Sequence, residues 1–215
     1  ADLVLGWGVL TRRVVLALWI TILVALVIAL LRRARASNVS AAPAFRFRVA
    51  GAGLALALTA VLVPGLLGRR LGELDAFLPP LPPSATETDS TRGELPWVLN
   101  DFRAALATAA HDGRPVLIDF TGYTCTNCRW MEANMFPRAD VRQALGRFVR
   151  VRLYTDGLGE PFASQQRMEQ TMFGTVALPL YAALAPDGRP RATFLGMTRD
   201  PSEFTAFLDR GATGR

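Results

Sequence analysis

Two stretches without charge decide most of what this chain can become. Val14 to Leu31 reads VVLALWITILVALVIALL, eighteen residues with Thr21 as the only polar one, and Val49 to Leu67 reads VAGAGLALALTAVLVPGLL, nineteen residues without a charge. A helix needs about 20 apolar residues to cross the hydrocarbon core of a bilayer. The two runs therefore read as a transmembrane hairpin, with helices over about 14–31 and 49–67. Small residues in the first half of the second run would let a neighbouring helix approach closely. A cleaved signal peptide or two buried core helices are the alternatives, but a signal peptide does not normally end in Leu31-Arg32-Arg33.

Arginine placement orients the hairpin. The loop between the runs carries Arg32, Arg33, Arg35, Arg46 and Arg48, whereas the outer flanks offer only Arg12 with Arg13 and Arg69 with Arg70. An excess of basic residues marks the cytoplasmic side. Loop 32–48 should be cytoplasmic, and everything after residue 70 should lie across the membrane, in the periplasm or its equivalent, where disulfides persist. Nine Arg face five acids over residues 1–90 and fifteen face thirteen over 91–215, so most of the net charge of +6 belongs to the membrane part. A nucleic-acid surface loses its main support. The chain opens on Ala inside an apolar run, as expected of a piece of a longer protein.

Residues 72–95, GELDAFLPPLPPSATETDSTRGEL, replace apolar periodicity with prolines, hydroxyls and acids, the composition of a linker. From Trp97 onward strand and helix patterns alternate, which argues for an α/β layer structure. A helix is expected over 100–110 with Asn100 as its N-cap, then a buried strand at PVLIDF, 115–120. A helix from Cys125 to about Met135, capped by Thr124, and a second short one in PRADVRQAL should follow. After them come an alternating strand over 148–154 and a helix over 162–173. The segment LPLYAALAPDGRPRATFLG should be a hairpin turning at Pro186-Asp187-Gly188, and an amphipathic helix over 201–210 closes the chain.

The only two cysteines stand in DFTGYTCTNCRWME, residues 119–132. A C-x-x-C pair at a helix start puts the first sulfur among unpaired backbone N–H groups at the positive end of the helix dipole, which favours thiolate over thiol. That makes Cys125 the candidate nucleophile and Cys128, one turn further in, its resolving partner. Zinc would need about four ligands, and the chain adds only His111 as a nitrogen ligand. A purely structural disulfide across so short a loop removes little unfolded-chain entropy.

Asp119 six residues before Cys125, the C-x-x-C helix, Leu178-Pro179 opening a hairpin and Gly196 after its second strand together resemble the thioredoxin fold. More narrowly, DFTGYTCTNCRWMEANMF behind a membrane hairpin and FLPP is similar to the C-terminal end of the DsbD-type thiol:disulfide interchange proteins, the cytochrome c biogenesis transmembrane reductases of the bacterial inner membrane. The resemblance covers essentially the whole chain. It implies a membrane segment over 1–71, an α/β thioredoxin-like domain over 96–215, protein-disulfide reductase activity and no cofactor. Electrons would come from a membrane cysteine pair and pass to periplasmic disulfide-bearing proteins; a periplasmic disulfide oxidant or isomerase, and a membrane-tethered binding module with an inactive pair, are the alternatives. Residues 1–70 hold no cysteine, so that pair would lie outside this chain.

Position by position, the resemblance makes Cys125 the attacking thiol and Cys128 the resolving one, Asp119 the buried acid beneath the disulfide, and Glu132 an acid one turn after the second cysteine. Pro179 matches a cis-proline whose loop holds partner backbone, and Tyr123, Thr124 and Leu178 complete the partner-binding surface. Cys128 and Glu132, spaced i and i+4, share a helix face, where a negative charge should oppose thiol ionisation. Two features depart from many thioredoxin-like proteins: Thr124 stands where Trp is common, and Thr126-Asn127 where Gly-Pro is common.

Overall fold

The structure is a computed structural model that describes residues 11–36, 43–69, 71–78 and 95–214. The chain divides into two compact units, one over Trp7–Leu74 and the other containing Asp75–Arg215.

The first unit is a helical hairpin, α1 Arg12–Arg35 and α2 Pro43–Leu66. Helix α1 runs past its expected uncharged core at both ends and α2 at its N-terminal end, where arginine, a good helix former, continues the turns; α2 stops at Leu66. Each is long and apolar enough to cross a membrane. A Cβ on Gly51 would lie 3.3 Å from Leu30 Cδ1 and one on Gly65 3.0 Å from Leu16 Cδ1, so small residues let the antiparallel pair close up. Leu18, Trp19, Ile22 and Val24 instead face outward. The hydroxyls of Thr21 and Thr59 donate to the carbonyls of Ala17 and Ala55, both at 2.8 Å, leaving neither polar group unpaired. Gly72–Phe77, expected as the start of the linker, forms a 3-10 turn. The proline-rich and Ser/Thr-rich stretch 79–94 and the hairpin tip 37–42 lie outside the described residues.

The second unit runs β1 Val98–Leu99, α3 Phe102–Asp112, β2 Val116–Thr121, α4 Thr126–Trp130, α5 Ala139–Leu145, β3 Val149–Tyr154, α6 Phe162–Phe173, β4 Leu180–Leu184, β5 Pro190–Leu195 and α7 Pro201–Thr213. The sheet order is β1-β3-β2-β4-β5; β3 is parallel to β1 and β2, and β4 antiparallel to β2 and β5. Strand alternation sends Leu117, Asp119 and Thr121 to one face of β2 and Val116, Ile118 and Phe120 to the other. Helices α4, α5 and α7 cover the first face, with Met131, Phe148, Phe204 and Phe207 at the centre of its core. Helices α3 and α6 cover the second, with Ala105, Ala109, Val151 and Leu153.

Four local expectations are corrected. Asn100 does not cap α3: Asp101 does, accepting from Ala104 N at 2.9 Å. Asn100 takes φ 53°, a left-handed conformation that asparagine tolerates, and its Oδ1 accepts from Tyr154 N at 3.1 Å, tying the end of β1 to β3. Thr124 does not cap α4; Cys125 does. The helix also widens after Trp130 into a π turn, Met131–Met135, where a regular α-helix was expected. Strand β3 is buried along nearly its whole length rather than alternately, because helices cover both faces of the sheet.

Candidate active site: the Cys125–Cys128 turn

Central strand β2 ends at Thr121, and the loop Gly122–Thr124 carries the chain into α4. Cys125 and Cys128 are joined in a disulfide with Cα atoms 5.3 Å apart. Cys128 is fully buried and Cys125 half-buried, so only the first sulfur is open to a partner. Cys125 Sγ also serves as the N-cap acceptor for Cys128 N–H, at 3.2 Å. A reduced sulfur held there would have its negative charge favoured by that donor and by the helix start.

Beneath the turn lies a layer of paired ions. Asp119 is completely buried and its Oδ2 accepts from Arg152 Nε at 2.9 Å. Arg152 Nε also lies 3.6 Å from Glu132 Oε1, and Glu132 Oε1 accepts from a terminal nitrogen of Arg129 at 2.6 Å. Arg129 donates further to Thr121 Oγ1 at 2.8 Å. Aromatic rings close the layer, with the Arg152 guanidinium 4.7 Å from the centroid of Trp97 and that of Arg129 5.6 Å from Tyr154. Burial pushes Asp119 up from its ordinary 3.8 to about 6, against the opposing pull of Arg152. Burial alone would lower Arg152, but Glu132 and Asp119 outweigh it and hold the guanidinium more firmly protonated than usual. Glu132 is thus not the lone negative charge beside Cys128 that its spacing suggested, since two cations share it.

Of the expected partner-binding residues, the structure sets Leu178 against the loop that carries Tyr123 and Thr124. Leu178-Pro179 is a cis peptide. A Cβ on Gly122 would lie 3.1 Å from Leu178 Cδ1, which sets this segment against the loop before Cys125. Tyr123 stacks on Tyr154 at 4.1 Å between centroids and meets Phe162 edge-on. Thr124 is exposed. Sequence reasoning missed Arg129, Arg152, Tyr154 and Asp156. The signal for two of them was present in VRVRLY: strand alternation places Arg150, Arg152 and Tyr154 on one face of β3, and charges in a strand with both faces covered need partners. Among the described residues no group of three or more His, Cys, Asp or Glu is placed to hold a metal ion.

A mixed five-stranded sheet, a redox-type cysteine pair at the start of the helix after its central strand, and a cis-proline leading into β4 define a thioredoxin-like α/β domain, and two apolar helices precede it in the chain. Residues 97–186 match the family described as thioredoxin-like. Similar solved structures include a thioredoxin from Thermus thermophilus, 22% identical over 54% of this chain and 86% of that one, TM-score 0.45. The reduced C-terminal domain of DsbD from Neisseria meningitidis is 21% identical over 53% of this chain and 99% of that one, TM-score 0.45. Among curated protein sequences none matches this chain.

Proposed function

We propose that this protein is a membrane-anchored thiol-disulfide oxidoreductase that receives electrons from a membrane cysteine pair outside these residues and passes them to disulfide-bearing proteins on the non-cytoplasmic side. The observation that carries the chemistry is the asymmetry of the pair: a half-buried Cys125 at the helix N-cap beside a fully buried Cys128. The relay itself is supported by the sequence resemblance of the cysteine segment and by the two apolar helices ahead of it.

In the proposed reaction the Cys125 thiolate attacks one sulfur of a partner disulfide, forming a mixed disulfide and releasing one partner thiolate. Cys128, as thiolate, then attacks Cys125 Sγ, closes the Cys125–Cys128 bond and releases the second partner thiolate. Two electrons pass to the partner, and two protons follow them. The donor step is the same sequence in reverse.

The test uses the full chain in micelles, reduced with a soluble dithiol and mixed with a disulfide-bearing peptide. Wild type should reduce the peptide, Cys128→Ser should accumulate a mixed disulfide on Cys125, and Cys125→Ser should form none. Absence of any adduct on Cys128→Ser would sink the exchange reading. A reduction potential near about −270 mV would fit a reductant, whereas one near about −120 mV would turn the assignment to an oxidant. In vesicles given a reductant on the loop side only, the chain should stay oxidised until a membrane segment with its own cysteine pair is added. Reduction without that segment would overturn the relay.

A further inference from the structure

Asp156 has no part in the exchange steps above, yet it is the group most intimately bound to the loop that presents Cys125. Thr155 N–H donates to Thr121 O at 3.0 Å, extending the β2–β3 pairing by one residue and delivering Asp156 alongside Gly122–Thr124. The Asp156 carboxylate then accepts three hydrogen bonds, from Tyr123 N at 2.7 Å, Thr124 N at 2.8 Å and Thr124 Oγ1 at 2.8 Å. A Cβ on residue 122 would sit 2.7 Å from Asp156 Oδ2, so the carboxylate reaches the backbone only because that residue is glycine.

The clamp explains why the helix starts where it does. By type and position Thr124 is the natural N-cap of α4, since a threonine oxygen readily accepts from the N–H two or three residues on. Asp156 engages that hydroxyl and the Thr124 N–H as well. The cap moves one residue along, and Cys125 Sγ becomes the acceptor for Cys128 N–H.

We propose that Asp156 is the positioning residue of the cysteine site: by occupying Tyr123 and Thr124 it gives the helix-cap place to the Cys125 sulfur, so that the reduced sulfur is held as a hydrogen-bonded thiolate. The inference rests on the thiol-exchange reading for its purpose but not for its test. Its sign differs from that of a simple charge effect. A carboxylate near a thiol opposes ionisation, so a purely electrostatic Asp156 would ease ionisation when removed, whereas a positioning Asp156 would hinder it. Asp119, Glu132, Arg129 and Arg152, the other charged groups about this turn, pair among themselves and stay unchanged in these variants.

The experiment is the pH dependence of Cys125 alkylation in the reduced full chain in micelles, with the modified residue identified by mass spectrometry. Asp156→Ala should raise the midpoint by about one pH unit, a tenfold loss of thiolate below the midpoint. Asp156→Asn removes the charge and keeps one of the two acceptor oxygens, so its midpoint should lie below that of Asp156→Ala. Thr124→Val, at an exposed position that leaves the core intact, should raise the midpoint by about two- to threefold in thiolate. It therefore serves even if the Asp156→Ala protein unfolds. A downward shift in both Asp156→Ala and Asp156→Asn, or an unmoved midpoint in Asp156→Ala and Thr124→Val, would overturn the proposal. Failure of the exchange reading is seen separately, as a wild-type protein with the expected midpoints that reduces no disulfide.

Discussion

Under the proposed membrane reading, the hairpin and the thioredoxin-like domain face one problem, polar groups in apolar surroundings, and meet it by opposite means. In α1 and α2 the two threonines fold back on their own helix: Thr21 and Thr59 each donate to the carbonyl four residues earlier, while Arg48, near the start of α2, donates across to Arg33 O at 3.0 Å. Leu16 is buried, but large apolar side chains such as Leu18, Trp19, Ile22, Leu54 and Leu56 point outward, as the proposed hydrocarbon surroundings would require. The domain instead takes charges inside and pairs them across elements, with Asp119 from β2, Arg152 from β3 and Arg129 and Glu132 from the cysteine helix in one layer. A helix that must satisfy itself can be read from its own sequence, whereas a layer assembled from three elements cannot be read from any one of them.

The largest effect that would break this contrast comes from Arg152. Arg152→Met removes the cation that both Asp119 and Glu132 face, leaving Asp119 buried and unpaired, and breaking a buried pair in this way costs about 3–5 kcal/mol. Chemical denaturation of the full chain in micelles, followed by the aromatic signal of the domain, should show that loss near pH 8. The loss should shrink toward pH 5, where Asp119 is protonated. An unchanged midpoint would mean that the layer contributes nothing net.

The hairpin should respond to the reverse manipulation. Val24 lies midway along α1 with its side chain outward. Under the proposed membrane reading, Val24→Asp places a charge where no partner element exists, at about 2.5–3.5 kcal/mol against insertion. Glycosylation mapping or protease protection of the inserted chain would report it. Equal insertion of Val24→Asp and wild type would show that α1 is not surrounded by lipid.

Legibility in the sequence followed the range of the interactions. The two long helices, the strand PVLIDF, the hairpin and the cysteine turn were all readable, because each is set by local periodicity or by spacing within about a turn. Strand β1 escaped, since Val98–Leu99 is two residues long and exists only through its pairing with β3. Thr124 misled for a related reason: its local preference for capping is overridden by Asp156, thirty-two positions away. Asp119 and Glu132 were visible as acids, and Arg129, three residues before Glu132, is a partner that helical spacing could have shown, whereas Arg152 reaches both acids only when β3 pairs with β2 and the cysteine helix folds over them.

Glu169 offers the smallest effect and the finest test of the contrast, because it is a buried acid with no ion pair among the described residues. It lies on α6, fully buried, and among the described residues neither carboxyl oxygen has a hydrogen-bond partner. Burial pushes its pKa from 4.5 up to about 7. A carboxyl whose folded pKa is raised stabilises the fold fully below its unfolded pKa, and that contribution is lost as pH rises through the folded value. Stability should therefore fall as pH rises from about 4.5 through 7. Glu169→Gln keeps the shape and cannot ionise, so it should match wild type near pH 5 and exceed it near pH 8, by roughly the 1–3 kcal/mol of an unsatisfied buried polar group. Asp119, also raised, acts in the same direction, but its share falls between pH 3.8 and about 6 and should remain in the variant. The measurement is the denaturation midpoint of both proteins at intervals from pH 4 to 9. If the two curves run parallel above pH 6, Glu169 is paired in solution, and the domain neutralises this acid too.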